Sequence, residues 1–310
     1  MSHNHTHLPD LTRQVTRRMA LSLVITLVFV VVEIITGLMS NSLALLTDAA
    51  HNFTDVLALG LSWFALQLAQ RPSHSGKTFG YHRAGILVAL FNSTTLVLIA
   101  LGIFYEAYRR FLSPPEVEAG LMVIVAVIAV IVNVVTALLI RRGSEHDLNI
   151  RAAFLHLMGD VLSTTGAVVA GVVILFTGAF WVDPLVSVFI GLLILWNAWG
   201  IIRESVDILM EATPADIDME AMIGDIQAVP GVRGVHDLHV WAINQSLRTL
   251  SAHLLTDDLP VSAGVSIQAA VTKMLREKHG VSHATLQLEC EGCMPADLYC
   301  DIIANNHQPH

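Results

Sequence analysis

The sequence predicts a membrane protein in two parts, an all-α domain of six spanning helices followed by a small α+β domain of αββαβ order. Three observations predict it. Hydrophobic residues make up 54% of the 310-residue chain and charged residues only 14%, with a mean hydropathy of +0.62 that soluble globular chains seldom reach. Apolar runs begin near Met19, Leu43, Ala84, Val117, Asn149 and Trp181, each long enough for the about 20 helical residues that cross a hydrocarbon core. Beyond Ile202 the apolar runs shorten and charges return, as at the start of a separate domain.

These features divide the chain into a tail (1–17), a six-span domain (18–211), a small domain (212–295) and a C-terminal tail (296–310). The first tail alternates histidine (His3, His5, His7), a pattern of weak metal capture or of an unstructured end. The first apolar run follows Arg13, Arg17 and Arg18, but it is too long for the core of a signal peptide and reads as an uncleaved span. A short turn at Ser40–Asn41–Ser42 makes spans one and two antiparallel. Pro72, Gly76 and Gly80 mark the next loop, Pro114–Pro115 break the chain before span four, and Gly178 with Asp183–Pro184 brackets the turn before span six.

Basic residues set the orientation. Arg13, Arg17, Arg18, Arg71, Lys77, Arg83, Arg141, Arg142, Arg151 and Arg203 fall on one side, and Arg109 and Arg110 on the other. The positive-inside rule then puts both termini and the small domain in the cytoplasm. In that domain Met219–Val229 has helical spacing and stops at Pro230–Gly231. Asp237–Ile243 and Thr249–Leu255 read as strands, Val265–Lys278 as a helix ended by Gly280, and Ala284–Glu289 as a last strand. The result is a small open sheet with helices on one face, too small to need an enzyme's cleft. All 3 cysteines, Cys290, Cys293 and Cys300, lie near the C-terminus on the reducing side, which argues against disulfides and leaves metal binding or burial. The net charge of −9 arises mainly in this domain and its tail, and no basic patch interleaved with aromatics suggests nucleic acid.

Two short motifs carry chemistry. Span two contains His51-Asn-Phe-Thr-Asp55 and span five contains His156-Leu-Met-Gly-Asp160. Residues four apart share a helix face, so each helix offers one imidazole and one carboxylate to a common point. Two nitrogens and two oxygens suit tetrahedral zinc. An aspartate at mid-membrane costs about 2.5 to 3.5 kcal/mol on insertion scales, and a bound divalent cation offsets two of them. Asp48 borders the same face, placed to support the ligands from behind or to meet the ion at its entry. Ser163 and Thr164 are candidates to line the path, and Glu33, Asn92, Glu106 and Asn133 are further polar residues within spans, as helix glue or vestibule.

The two H-x-x-x-D motifs, the six spans, Phe79-Gly80-Tyr81-His82-Arg83 and the run Val235-His-Asp-Leu-His-Val-Trp241 together resemble the zinc-transporting branch of the cation diffusion facilitator family, over nearly the whole chain. The resemblance implies a homodimeric metal/proton antiporter of the bacterial inner membrane, with a ferredoxin-like cytoplasmic domain, working by alternating access. It implies Zn2+ as transported substrate and regulatory ligand, with Cd2+ or other divalent ions as further cargo. Carried over, the transport site is His51, Asp55, His156 and Asp160. A cytoplasmic site would draw on His236, His253 and Glu289, completed by Cys290 or Cys293, and Gln287 stands where some bacterial members place a histidine. Some relatives bind metal in the loop between spans two and three, but here His74 and His82 have no carboxylate between Ala69 and Arg83. Some also pair a base at the start of span three with an acid at the end of span six, for which Arg83 and Glu211 are the nearest residues.

Zinc binds neutral imidazole and ionised carboxylate, so metal and protons compete at histidines whose unperturbed pKa is about 6.5. The expected cycle loads Zn2+ from the cytoplasm, rocks outward, and releases the ion as protons return. Two other classes are a membrane-anchored metal sensor and an intramembrane metalloprotease. The sensor leaves the four membrane ligands unexplained, and the protease needs an H-E-x-x-H motif that the sequence lacks.

Overall fold

The computed structural model describes the backbone of residues 8–141 and 148–290, and the side chains of residues 24–138 and 157–290. Six long helices come first: α1 (Leu8–Met39), α2 (Leu43–Ala69), α3 (Ala84–Leu112), α4 (Ala119–Arg141), α5 (Leu148–Thr177) and α6 (Val182–Leu209). They are followed by α7 (Met219–Gln227), β1 (Gly234–Ala242), β2 (Arg248–Thr256), α8 (Val261–His279) and β3 (Val281–Cys290). Among the described residues four helices, α3 to α6, are long and apolar enough to cross a membrane by length and composition. The described apolar part of α1 is the shorter segment Val24–Met39, and α2 carries Asp48, His51 and Asp55 within its length.

The chain forms two compact units. One comprises residues up to Phe64 together with Val88–Ile202, and the other comprises Ala65–Leu87 together with the chain from Arg203 onward. In the first unit, Phe29, Leu45, Met122, Ala126, Ala170 and Ile174 belong to one buried cluster that joins α1, α2, α4 and α5. Small residues let these helices approach: a Cβ on Gly171 of α5 would stand 2.7 Å from a Val123 methyl of α4. A second cluster packs Leu96 and Ala100 of α3 on Ile190, Ile194 and Ala198 of α6.

The turn between α1 and α2 is fixed by polar contacts. Asn41 adopts a positive φ of 55°. Ser42 caps α2, its Oγ accepting from Leu45 N at 3.3 Å. Asp183, at the start of α6 and fully buried, accepts from Ser42 Oγ (2.7 Å), Leu43 N (2.7 Å) and Ala44 N (3.2 Å). A carboxylate from one helix thus supplies the acceptors and negative charge that the first turn of another lacks. Arg110, buried at the end of α3, lies 3.6 Å from Asp183 and donates to Asn41 O at 2.6 Å.

In the second unit the sheet has the order β1-β2-β3, with β1 antiparallel to β2 and β2 parallel to β3. The parallel pair requires a crossover, and α8 provides it. Leu238, Val240, Leu250, Ala252 and Leu254 face α7 and α8, where Met222, Ile226, Val271 and Leu275 complete a buried core. Asp218 caps α7, and Gly280 ends α8 at φ 66°, the left-handed conformation that glycine adopts without strain.

β1 carries one extra residue. His236 pairs with His253 and His239 with Ser251, a register shift at Asp237, whose φ is 47°. Strict alternation would send His236 to the same face as Leu238 and Val240. The bulge turns it instead to the face opposite the helices, beside His253.

Candidate metal centre

In the first unit, α2 and α5 bring together His51, Asp55 and Asp160. One donor atom from each lies within 4.8 Å of the other two. His51 Nε2 is 3.2 Å from Asp160 Oδ1 and 3.7 Å from Asp55 Oδ2. His51 and Asp160 are buried and Asp55 is half-buried. The i, i+4 spacing on α2 produces the first pair, and the packing of α5 supplies the third group. His156 lies on α5 four residues before Asp160, but its side chain falls outside the described residues.

A shell of polar groups surrounds this cluster. Ser163 Oγ and Thr164 Oγ1 are each 3.0 Å from a carboxylate oxygen of Asp48, and both hydroxyls also reach the carbonyl of Asp160, at 3.3 and 2.7 Å. Asn133 of α4 donates to Thr164 Oγ1 at 3.1 Å. Glu33 of α1 accepts from Asn52 Nδ2 at 3.4 Å and lies within hydrogen-bonding reach of Asp48. Both Glu33 and Asp48 are fully buried.

The second unit holds another group on the sheet face away from the helices. Glu289 bridges two imidazoles, 3.0 Å from His236 Nε2 and 2.9 Å from His253 Nδ1. His253 Nε2 stands 3.5 Å from Asp237, which lies 3.1 Å from His239 Nε2. Donor atoms of His236, His253 and Glu289 lie within 4.8 Å of one another, a nitrogen and oxygen set that fits zinc. Gln287 Nε2 donates to Glu289 at 2.8 Å and so orients the carboxylate.

Cys290 is exposed and stands outside this group, because neighbours in a strand point to opposite faces and Glu289 points to the face that carries His236 and His253. Cys293, Cys300 and the histidines of the N-terminal tail lie outside the described residues. Asp237 is the residue of this group that strand periodicity misses, and its one signal is an aspartate inside a β-rich run.

The loop before α3 holds no metal cluster among the described residues. His74 serves the loop itself, accepting from Gly76 N at 3.2 Å and meeting the Tyr81 hydroxyl at 3.2 Å. Arg83 pairs with Glu211 at 2.9 Å, joining the start of α3 to the residue that ends α6 in a left-handed turn, φ 59°.

Long apolar helices with buried imidazole and carboxylate groups, followed by a small α+β domain, define a multi-pass membrane protein. The chain belongs to the cation efflux, or cation diffusion facilitator, family. The model of the cation efflux transmembrane domain matches residues 19–210, and that of the cation efflux cytoplasmic domain matches residues 214–291.

Relatives span almost all of the chain. A "Cadmium, cobalt and zinc/H(+)-K(+) antiporter" of Bacillus velezensis is 37% identical over 93% of this chain and 92% of its own length. The "Metal cation efflux system protein CzcD" of Cupriavidus metallidurans is 36% identical, with 95% and 92% covered. The "Zinc transporter ZitB" of Escherichia coli is 35% identical, with 100% and 98% covered. Among solved structures, the metal-bound C-terminal domain of the Cupriavidus transporter matches at 30% identity over 24% of this chain and 99% of its own, with a TM-score of 0.22.

Proposed function

We propose that this protein is a secondary active transporter that exports Zn2+ from the cytoplasm in exchange for protons. The observation that carries the reading is the buried meeting of His51, Asp55 and Asp160 between α2 and α5. In this reading His156 supplies the fourth donor, which gives two nitrogens and two oxygens for a tetrahedral ion. The printed names of the relatives, which mention zinc, cadmium and cobalt, support the substrate class.

Binding of Zn2+ displaces protons from the imidazoles, because only the neutral ring ligates. Rocking of the bundle then exposes the ion to the far side, where returning protons compete it off. Domains at 18–211 and 212–295 divide the work: the first carries the ion, and the second binds Zn2+ at His236, His253 and Glu289 and holds two copies together. The basic residues on one side of the spans support cytoplasmic termini in an inner membrane.

The test is Zn2+ flux into proteoliposomes containing the full chain, Asp55→Ala or His156→Ala. Loss of one of four ligands lowers flux by at least about tenfold, the scale of perturbing even a ligand's supporting groups. Unchanged flux in both variants refutes the site.

A further inference from the structure

Beside the three-residue metal cluster lies a second set of buried polar groups of different chemistry. Glu33 of α1 and Asp48 of α2 contribute carboxylates, Ser163 and Thr164 of α5 hydroxyls, and Asn52 and Asn133 amides from α2 and α4. Among these six groups the atoms that carry lone pairs for a cation are oxygens. Oxygen donors of this kind suit hard cations, whereas the imidazole-containing cluster suits zinc.

Two observations call for a positive charge here. Glu33 and Asp48 are both fully buried and within hydrogen-bonding reach of each other, so two carboxyl groups that cannot both stay ionised without a proton or another cation meet in a membrane interior. In addition, among the described residues no donor reaches Glu33 Oε1, although the atom is buried and the residue has no exposure to solvent. A buried carboxyl oxygen without a donor is costly to ionise unless a proton or another cation neutralises the group.

We propose that Glu33 and Asp48, with the Ser163 and Thr164 hydroxyls, form a second cation site, which holds the monovalent counter-ion of transport, a proton or an alkali metal ion. The site touches the metal cluster through Thr164, whose hydroxyl reaches both Asp48 and the carbonyl of Asp160. Among the described residues His51 of α2 is the titratable group of the metal cluster that acts on Asp48, and Asp55 and Asp160 of that cluster come from the same two helices, α2 and α5. A divalent ion on that cluster and a monovalent ion on this site repel across a medium of low dielectric. Mutual exclusion of the two ions is what exchange requires.

The inference rests on the transporter reading above, and the experiment separates the two. Full-length wild type and Glu33→Gln are reconstituted, and Zn2+ flux is measured with the membrane potential clamped under a pH gradient, a K+ gradient, a Na+ gradient or none. Zn2+ affinity of each purified protein is measured by titration calorimetry. The expected result is that one gradient accelerates wild-type flux, that Glu33→Gln binds Zn2+ within about threefold of wild type, and that the variant loses the acceleration. The gradient that acts identifies the ion. Ser163→Ala, which keeps both carboxylates, serves as a second variant and loses part of the acceleration. Equal acceleration in wild type and in both variants overturns the second site while leaving the transporter reading intact. Wild-type flux that no gradient accelerates overturns the exchange reading and the inference with it.

Discussion

Replacing Asp183 tests how the first unit holds α2, the helix that carries His51 and Asp55. Its carboxylate receives one hydroxyl and two backbone N–H groups at the start of α2 and lies 3.6 Å from Arg110. Asp183→Ala strands those donors and removes one counter-charge from a buried guanidinium, which keeps its contacts to Glu106 and to Asn41. Breaking a buried ion pair destabilises by about 3–5 kcal/mol, and a lost cap by about 1 kcal/mol, with Ser42 retained as a partial cap. A net loss of about 4 kcal/mol lowers the unfolding midpoint by about 8–16 °C, at about 2–4 °C per kcal/mol for a domain of this size. Asp183→Asn keeps an acceptor oxygen and loses only the charge, so about half that loss is expected. The assay is thermal unfolding of purified protein in detergent, followed by intrinsic fluorescence. A midpoint for Asp183→Ala within about 2 °C of wild type, or an Asn variant less stable than the Ala variant, refutes the reasoning.

Three further outcomes follow from the geometry. Arg83→Glu places like charges at the 2.9 Å contact with Glu211 and lowers Zn2+ flux more than Zn2+ binding, and Arg83→Glu combined with Glu211→Arg recovers flux; unimpaired flux in the single variant removes the idea. Glu289→Gln removes the carboxylate that bridges His236 and His253 and lowers the number of Zn2+ ions bound per full-length chain, measured by equilibrium dialysis, while an unchanged number excludes the sheet face as a metal site. The hydrogen bond from Lys278, with a second from His279, holds the Asp225 carboxyl below its ordinary 3.8, so its contribution to stability is complete above that value and is lost as pH falls through the lowered one. Asp225→Asn therefore lowers the unfolding midpoint at pH 7 and makes little difference in strong acid; an equal effect at both refutes the linkage.

Much of this architecture was legible in the residue pattern. The starts of the six long helices fall within three residues of the apolar runs for five of them, since length and hydropathy are local properties. For α1 the helix begins earlier, at Leu8, because Arg13, Arg17 and Arg18 are compatible with a helix that continues beyond its apolar stretch. The αββαβ order was likewise legible, although β1 and β3 extend by three residues at their N-termini relative to the alternating runs. The two H-x-x-x-D motifs point to His51, Asp55, His156 and Asp160, of which the described side chains, His51, Asp55 and Asp160, lie together, because helical spacing fixes which residues share a face.

What escaped was long-range. Asp183 reads as the edge of a turn, yet it caps a helix some 140 positions earlier. No period reports such a pairing. Asp48 reads as a supporting or entry group on the face of His51, but that its hydroxyl partners are Ser163 and Thr164 of α5 is set by packing. Cys290 is a different case. Adjacent strand residues point to opposite faces, so parity alone separates it from Glu289.

The odd residue at Asp237 decides more than the shape of one strand. Parity, and not the identity of the side chains, puts His236 beside His253; a chain with the same histidines and glutamate but a regular first strand would aim that imidazole into an apolar interior. Counting these side chains in a sequence therefore does not tell whether they meet unless the spacing ahead of Leu238 is counted too. Removing one residue there, with every ligand left in place, abolishes the group as surely as replacing the histidine.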